Sequence, residues 1–171
     1  MRCLGIDPGT RKLGWGVVEL RGTQLVHVAH GVVRCKETAP LGVRLVQIER
    51  ELDVVLTTHA PTVSALESLF FAKDAQAAAK LGHARGVAML VCVRHELEVF
   101  EYPPARVKRT VAGHGRADKG QVARMMMAFL RLREEPPADA ADALAIAATH
   151  LQSAPFRQIA ESSGAAVRRI R

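Results

Sequence analysis

Residues 2–20, RCLGIDPGTRKLGWGVVEL, decide how the rest of the chain is read. Cys3 to Ile6 is a short apolar run that stops at Asp7-Pro8-Gly9-Thr10, a turn signal, and Leu13 to Leu20 resumes as a second run. Two such runs across a tight turn predict neighbouring strands. Gly14 and Gly16 fall inside the second, where a missing side chain lets another backbone come close. Beyond Gly22-Thr23, Leu25, His27 and Ala29 alternate with Val26, Val28 and His30, which predicts a third strand and completes a meander.

Working outward, Pro40 opens a helix whose apolar residues Leu41, Leu45, Ile48, Leu52 and Val55 recur at spacings of four and three. It ends before Pro61. Val63 to Leu66 is a β-prone run leading into Glu67. Asp74 is a candidate N-cap for a helix through Lys80, Leu81, Ala84 and Ala88. The end of that segment, Val87 to Val93, is apolar all round; continuity with the Ala-rich start favours a buried helix, with a strand as the alternative. Leu97 to Tyr102 predicts a fifth strand, closed by Pro103-Pro104, and a polar loop runs from Val111 through Arg116. Asp118 with Gln121 three residues on forms a capping-box pattern for a helix to about Leu130. Glu134-Glu135-Pro136-Pro137 breaks the chain before an Ala-rich helix from Ala138 to Leu151. This order predicts an α/β fold, a mixed five-stranded sheet with helices on both faces. Residues 1–152 read as one domain, and residues 153–171, rich in Ser, Gly and Arg, as a basic flexible tail.

The 171 residues carry a net charge of +7, with 49% apolar and 24% charged residues. That composition is ordinary for a globular domain, while the basic balance suits a polyanionic partner such as nucleic acid. Arginine outnumbers lysine, which favours bidentate phosphate contacts. Cys3, Cys35 and Cys92 are odd in number and widely spaced, without metal-ligand spacing, so neither a disulfide framework nor a zinc site is expected. No leader pattern and no membrane-length apolar run is visible, and a reduced cytoplasmic setting is the expectation.

Most acidic side chains sit on solvated surface, but four occupy unusual places. Asp7 and Glu67 each close an apolar strand, and strand ends facing a crevice are where α/β proteins put chemistry. Asp139 and Asp142 lie three apart near the start of the last helix and so share a face. The helix dipole accounts well for one first-turn acid and less well for two. Ala141, Leu144, Ala145 and Ala148 must pack on the sheet, which places Asp142 at the border of the buried interface. Carboxylates within about 4–6 Å of one another cannot all stay ionised without a compensating cation. An all-oxygen ligand set selects Mg²⁺ or Mn²⁺. Two such ions about 3.5–4 Å apart can activate water and stabilise the leaving oxygen in phosphodiester hydrolysis. Convergence of the four acids is an expectation, which spacing alone does not establish.

Three segments together resemble the RuvC family of Holliday junction resolvases, within the ribonuclease H-like superfamily. They are Gly5-Ile6-Asp7-Pro8-Gly9-Thr10, the run from Ala65 through Glu67 to Lys73, and the run from Ala138 through Asp142 to Ala147. Leu81 to Val87 and Val99 to Tyr102 are also similar to the family, and the resemblance covers Arg2 to about His150 in order. The resemblance implies a catalytic and metal-binding tetrad of Asp7, Glu67, Asp139 and Asp142. It implies paired Mg²⁺-dependent nicks in opposed strands of a four-way junction, leaving ligatable ends, with two ions per active site and Mn²⁺ able to substitute. It implies a homodimer, matching the two-fold symmetry of the junction, and the RuvA–RuvB branch-migration complex as partner. It assigns Phe70 to the junction core and Lys108 and Lys119 to DNA phosphates. Arg106, Arg109 and Arg116 could widen that basic patch.

Three other readings remain, of which the resolvase-like ribonuclease H relatives that process ribosomal RNA precursors share a similar first motif but lack the aromatic-bearing Glu67 segment. An Asp-x-Gly-Thr-like loop also opens actin- and sugar-kinase-like ATPases, but their two lobes leave little room in 171 residues. A junction-binding module without catalysis would gain nothing from acids placed beside a phosphate.

Overall fold

The computed structural model describes residues 1–68 and 75–162. Three strands open the chain: β1 (Arg2–Asp7), β2 (Lys12–Arg21) and β3 (Gln24–Arg34). Helix α1 (Leu41–His59), β4 (Val63–Glu67), helix α2 (Ala75–Arg94) and β5 (Val99–Tyr102) follow. Three helices close the chain: α3 (Pro104–Ala112), α4 (Lys119–Leu130) and α5 (Ala138–Ser162). The sheet order is β3-β2-β1-β4-β5, with the meander antiparallel and β4 and β5 parallel to β1. The predicted mixed five-stranded sheet with helices on both faces is what forms.

Alternation along the strands divides the core into two layers. Leu4, Ile6, Leu13, Val17 and Leu66 join Ile48 and Leu52 of α1 and Ala84 and Ala88 of α2 on one face. Cys3, Val18, Val63 and Ala65 join Leu144, Ala147 and Leu151 of α5 and Met126 of α4 on the other. Each large apolar side chain so buried contributes about 1.5–3 kcal/mol. Val87 to Val93 is helix, as its continuity with the Ala-rich start predicts. Arg85 of α2, itself buried, pairs with Glu101 of β5 and so ties α2 to the sheet edge. All three cysteines carry free thiols.

Two elements depart from the sequence reading. Helix α3 was not expected, because Pro103-Pro104 reads as a stop; Pro104 is in fact at the start of the helix, where its missing N–H costs nothing. Only Val107 and Val111 of its residues are buried, too short a stripe for periodicity to reveal. Helix α5 does not end near Leu151 but continues to Ser162. The Ala-rich start favours helix, while Ser153 and Pro155 read locally as stop signals, so this continuation is not legible in local sequence. Residues 163–171, Phe70, Phe71 and the candidate N-cap Asp74 lie outside the described residues. Among the described residues, no helix is long and apolar enough to cross a membrane.

Candidate active site

Asp7 and Glu67 end neighbouring parallel strands whose register pairs Ile6 with Leu66. Since Ile6 and Leu66 point into the layer under α1 and α2, the following residues point to the opposite face, toward α5. Two carboxylates are thereby set side by side at one end of the sheet.

Glycines decide how close α5 comes to them. A Cβ on Gly5 would run into the backbone of Ala143 and Ala147, and one on Gly14 into the carbonyl of Asp139. A Cβ on Gly16 would strike Leu144. The close approach expected at Gly14 and Gly16 is therefore a contact with α5. It lays the first turns of that helix, with Asp139 and Asp142, directly across the end of β1 and β2.

Asp7, Glu67 and Asp142 line one cleft of about 260 Å³ together with Lys108 of α3 and Lys119 of α4. Val107, Val122 and Ile146 supply its apolar wall. Lys119 sits at the first position of α4, fixed by the expected capping box: the Asp118 side chain accepts from the Gln121 backbone N–H, and the Gln121 side chain accepts from that of Asp118. Lys119 Nζ lies 3.2 Å from Asp142 Oδ2. Asp139, half-buried one turn earlier on α5, does not line the cleft, although its charge is felt at both Asp7 and Lys119.

The electrostatics follow from that crowding. Burial, and then the charges of Asp142 and Glu67, push the Asp7 carboxyl up to about 7, with Lys119 opposing. Glu67 is also raised, by burial and then by Asp142, against Lys108 and Lys119. Asp142 holds the Lys119 ammonium above its usual range. Carboxyls held above their usual range by burial and by one another are what a bound cation would relieve, and carboxylate oxygens suit a hard divalent ion. Among the described residues, no three His, Cys, Asp or Glu side chains already stand close enough to hold an ion. The donor chemistry fits a metal at an open site, not a prebuilt cage.

One contact had no sequence signal. Tyr102 is the register partner of Glu67, and its hydroxyl lies 3.1 Å from Nδ1 of the buried His150 on α5. The Arg106 guanidinium stacks over the Tyr102 ring at 5.1 Å and donates to Ser153 Oγ on α5. The strand end that carries Glu67 and the helix that carries Lys108 are thus both tied to the helix that carries Asp142. Such ties are long-range pairings, and periodicity reports only local spacing.

Comparison with known proteins settles the family. The model of the family described as Crossover junction endodeoxyribonuclease RuvC matches residues 3–150. The chain belongs to the RuvC family. The crossover junction endodeoxyribonuclease RuvC of Sorangium cellulosum is 56% identical over 169 residues, 99% of this chain and 94% of that protein. The RuvC protein of Rhodopseudomonas palustris is 53% identical over 150 residues, 88% of this chain and 86% of its own. Thermus thermophilus RuvC in complex with its Holliday junction substrate superposes with a TM-score of 0.86 at 36% identity, covering 92% of this chain and 96% of that one. The yeast mitochondrial Holliday junction resolvase shares the fold, with a TM-score of 0.65 at 12% identity, over 94% of this chain and 83% of that one. The fold is accordingly ribonuclease H-like and the chain a nuclease, of a family whose nucleases are metal-dependent.

Proposed function

We propose that this chain resolves Holliday junctions by nicking two opposed strands, with Asp7, Glu67, Asp139 and Asp142 as the catalytic acids. The observation that carries this reading is one cleft in which acids from β1, β4 and α5 face lysines from α3 and α4. A backbone phosphate entering that cleft meets Lys108 and Lys119, which attract it, and carboxylates, which repel it unless a cation is bound.

The four acids are the residues that would hold the metal, Mg²⁺ at two ions per site with Mn²⁺ able to substitute. When bound, such ions supply an activated water and charge stabilisation for the departing oxygen. The chain's own contribution is positional. Asp7 and Glu67 are fixed by strand register, Asp142 by the α5 contact, and the apolar wall of Val107, Val122 and Ile146 limits the water around the phosphate. Lys119 bonds Asp142 in the free protein and is placed to exchange that partner for a phosphate oxygen when DNA arrives. Phe70, in the segment after β4, is assigned to the junction core, where stacking on an unpaired base is worth about 1–3 kcal/mol.

Paired nicks in a near two-fold junction require two sites related by a dyad, so the working species is a homodimer. The same reading makes RuvA–RuvB the branch-migration partner, residues 1–152 the nuclease domain, 153–171 a basic appendage, and the cytoplasm the location. The deciding experiment is cleavage of a synthetic mobile four-way junction across a Mg²⁺ and Mn²⁺ titration, mapping both strands, with the dimer followed by sedimentation. Symmetric nicks that require metal and disappear in Asp7→Asn are expected. Junction binding without metal-dependent cutting would leave only a binding module.

A further inference from the structure

Residues of β3 away from the nuclease cleft form a second cluster that resolution does not use. Strands β2 and β3 pair in step from Lys12 with Arg34 to Val17 with Ala29, and then Val18 pairs with His27, leaving Val28 opposite no residue. A bulge of this kind inserts one residue and re-aims the side chains around it. His27 and His30, three apart, would point to opposite faces of a regular strand. With the bulge between them they share a face: His27 Nε2 lies 2.8 Å from His30 Nδ1, and the ring centroids are 4.9 Å apart.

Both rings line a cleft of about 680 Å³ between β3 and the turn from α4 to α5. Glu134 and Glu135 of that turn are on its wall, with Arg131 and Arg133. None of its lining residues belongs to the nuclease cleft. We propose that His27 and His30 form a two-imidazole site for a borderline divalent cation of the Zn²⁺ or Cu²⁺ class. In the hydrogen-bonded pair one ring gives an N–H to the other's lone pair. A tautomer shift of the donor ring to its far nitrogen frees a second lone pair at the same point, with no net change in protons. Burial holds both imidazoles below their usual range, so both are neutral and able to ligate near pH 7. Imidazole nitrogen prefers this class of ion over Mg²⁺, which the carboxylate cleft suits. Among the described residues no third His, Cys, Asp or Glu completes a ligand set, so water or a swing of Glu134 or Glu135 fills the remaining positions.

The test is calorimetric titration of the metal-stripped chain with Zn²⁺ alone, in saturating Mg²⁺ so that the carboxylate cleft is already occupied. One Zn²⁺ per chain is expected. His27→Ala and His30→Ala should each weaken it by at least the about 10–100-fold that even outer partners of a metal ligand are worth. His114→Ala, on an exposed loop, should bind as the parent does. Co²⁺ absorption should show nitrogen and oxygen ligands without a thiolate charge-transfer band. Should either histidine variant fold poorly, imidazole NMR signals of the unmodified chain decide, since two of the seven histidines should respond to Zn²⁺ together. Absence of binding, binding unchanged in both variants, or a thiolate signature overturns the proposal.

Discussion

Lys119 Nζ stands 3.2 Å from Asp142 Oδ2, a cation from the first turn of α4 bound to an acid near the start of α5. The Lys119 side chain is 69% exposed while that of Asp142 is 25% exposed, so the pair lies at the mouth of the cleft. An exposed pair contributes little to stability. Lys119→Ala should therefore leave the melting temperature close to that of the parent. Its effect should fall on junction binding, with the salt dependence reduced by about one unit in log–log slope. Filter binding across a salt series measures this; an unchanged slope would take Lys119 off the phosphate.

Asp7 offers a pH-dependent test. Without a divalent cation the folded chain keeps the Asp7 proton up to about pH 7, against an ordinary value of 3.8. Between those values the folded chain holds a proton that the unfolded chain has lost, so stability falls as pH rises through that window. Asp7→Asn removes this penalty, and at pH 8 in EDTA it should melt higher, by about 2–4 °C per kcal/mol relieved. In Mg²⁺ the same variant should cut more than about 100-fold slower, since even outer partners of a metal ligand are worth up to that factor. A melting temperature at or below the parent's together with near-parental cutting would remove Asp7 from the active site.

Metal binding should carry the same signature in the parent. A cation and a proton compete for Asp7 and Glu67, so apparent Mg²⁺ affinity should strengthen as pH rises toward and past 7. Proton release on Mg²⁺ addition, read by calorimetry in buffers of different ionisation enthalpy, checks this. A flat affinity from pH 6 to 8 would contradict it.

Gly14→Ala tests the contact that seats α5. Its Cβ would meet the Asp139 carbonyl, and overpacking of this kind costs about 1–3 kcal/mol. Cleavage should drop as well, because the strain moves the helix carrying Asp142. Gly42→Ala, in α1 with open space around it, is the control and should be neutral or slightly stabilising. Denaturant unfolding of the two variants should separate them clearly.

Tyr102→Phe removes the hydroxyl from His150 while keeping the ring under Arg106. A loss of about 0.5–1.5 kcal/mol is expected for one buried hydrogen bond removed. Cleavage should fall with junction affinity retained, because the tie sets Glu67 against α5 and does not touch DNA. Unchanged stability would show that the hydroxyl carries no weight.

The chain's own order of residues determined most of the architecture: strand alternation, helix periodicity and the Asp118–Gln121 cap are short-range patterns that each element declares for itself. It also marked Asp7, Glu67, Asp139 and Asp142, because acids at strand ends and in an i, i+3 pair are conspicuous locally. Tertiary structure alone decided which acids share the cleft, with Asp142 lining it and Asp139 set back, since that depends on how deeply glycines let α5 settle. It also revealed helix α3, the Tyr102–His150 tie, the continuation of α5 and the bulge that turns His27 toward His30. Each of these either depends on a partner distant in sequence or runs against the local stop signals, so local spacing does not report it.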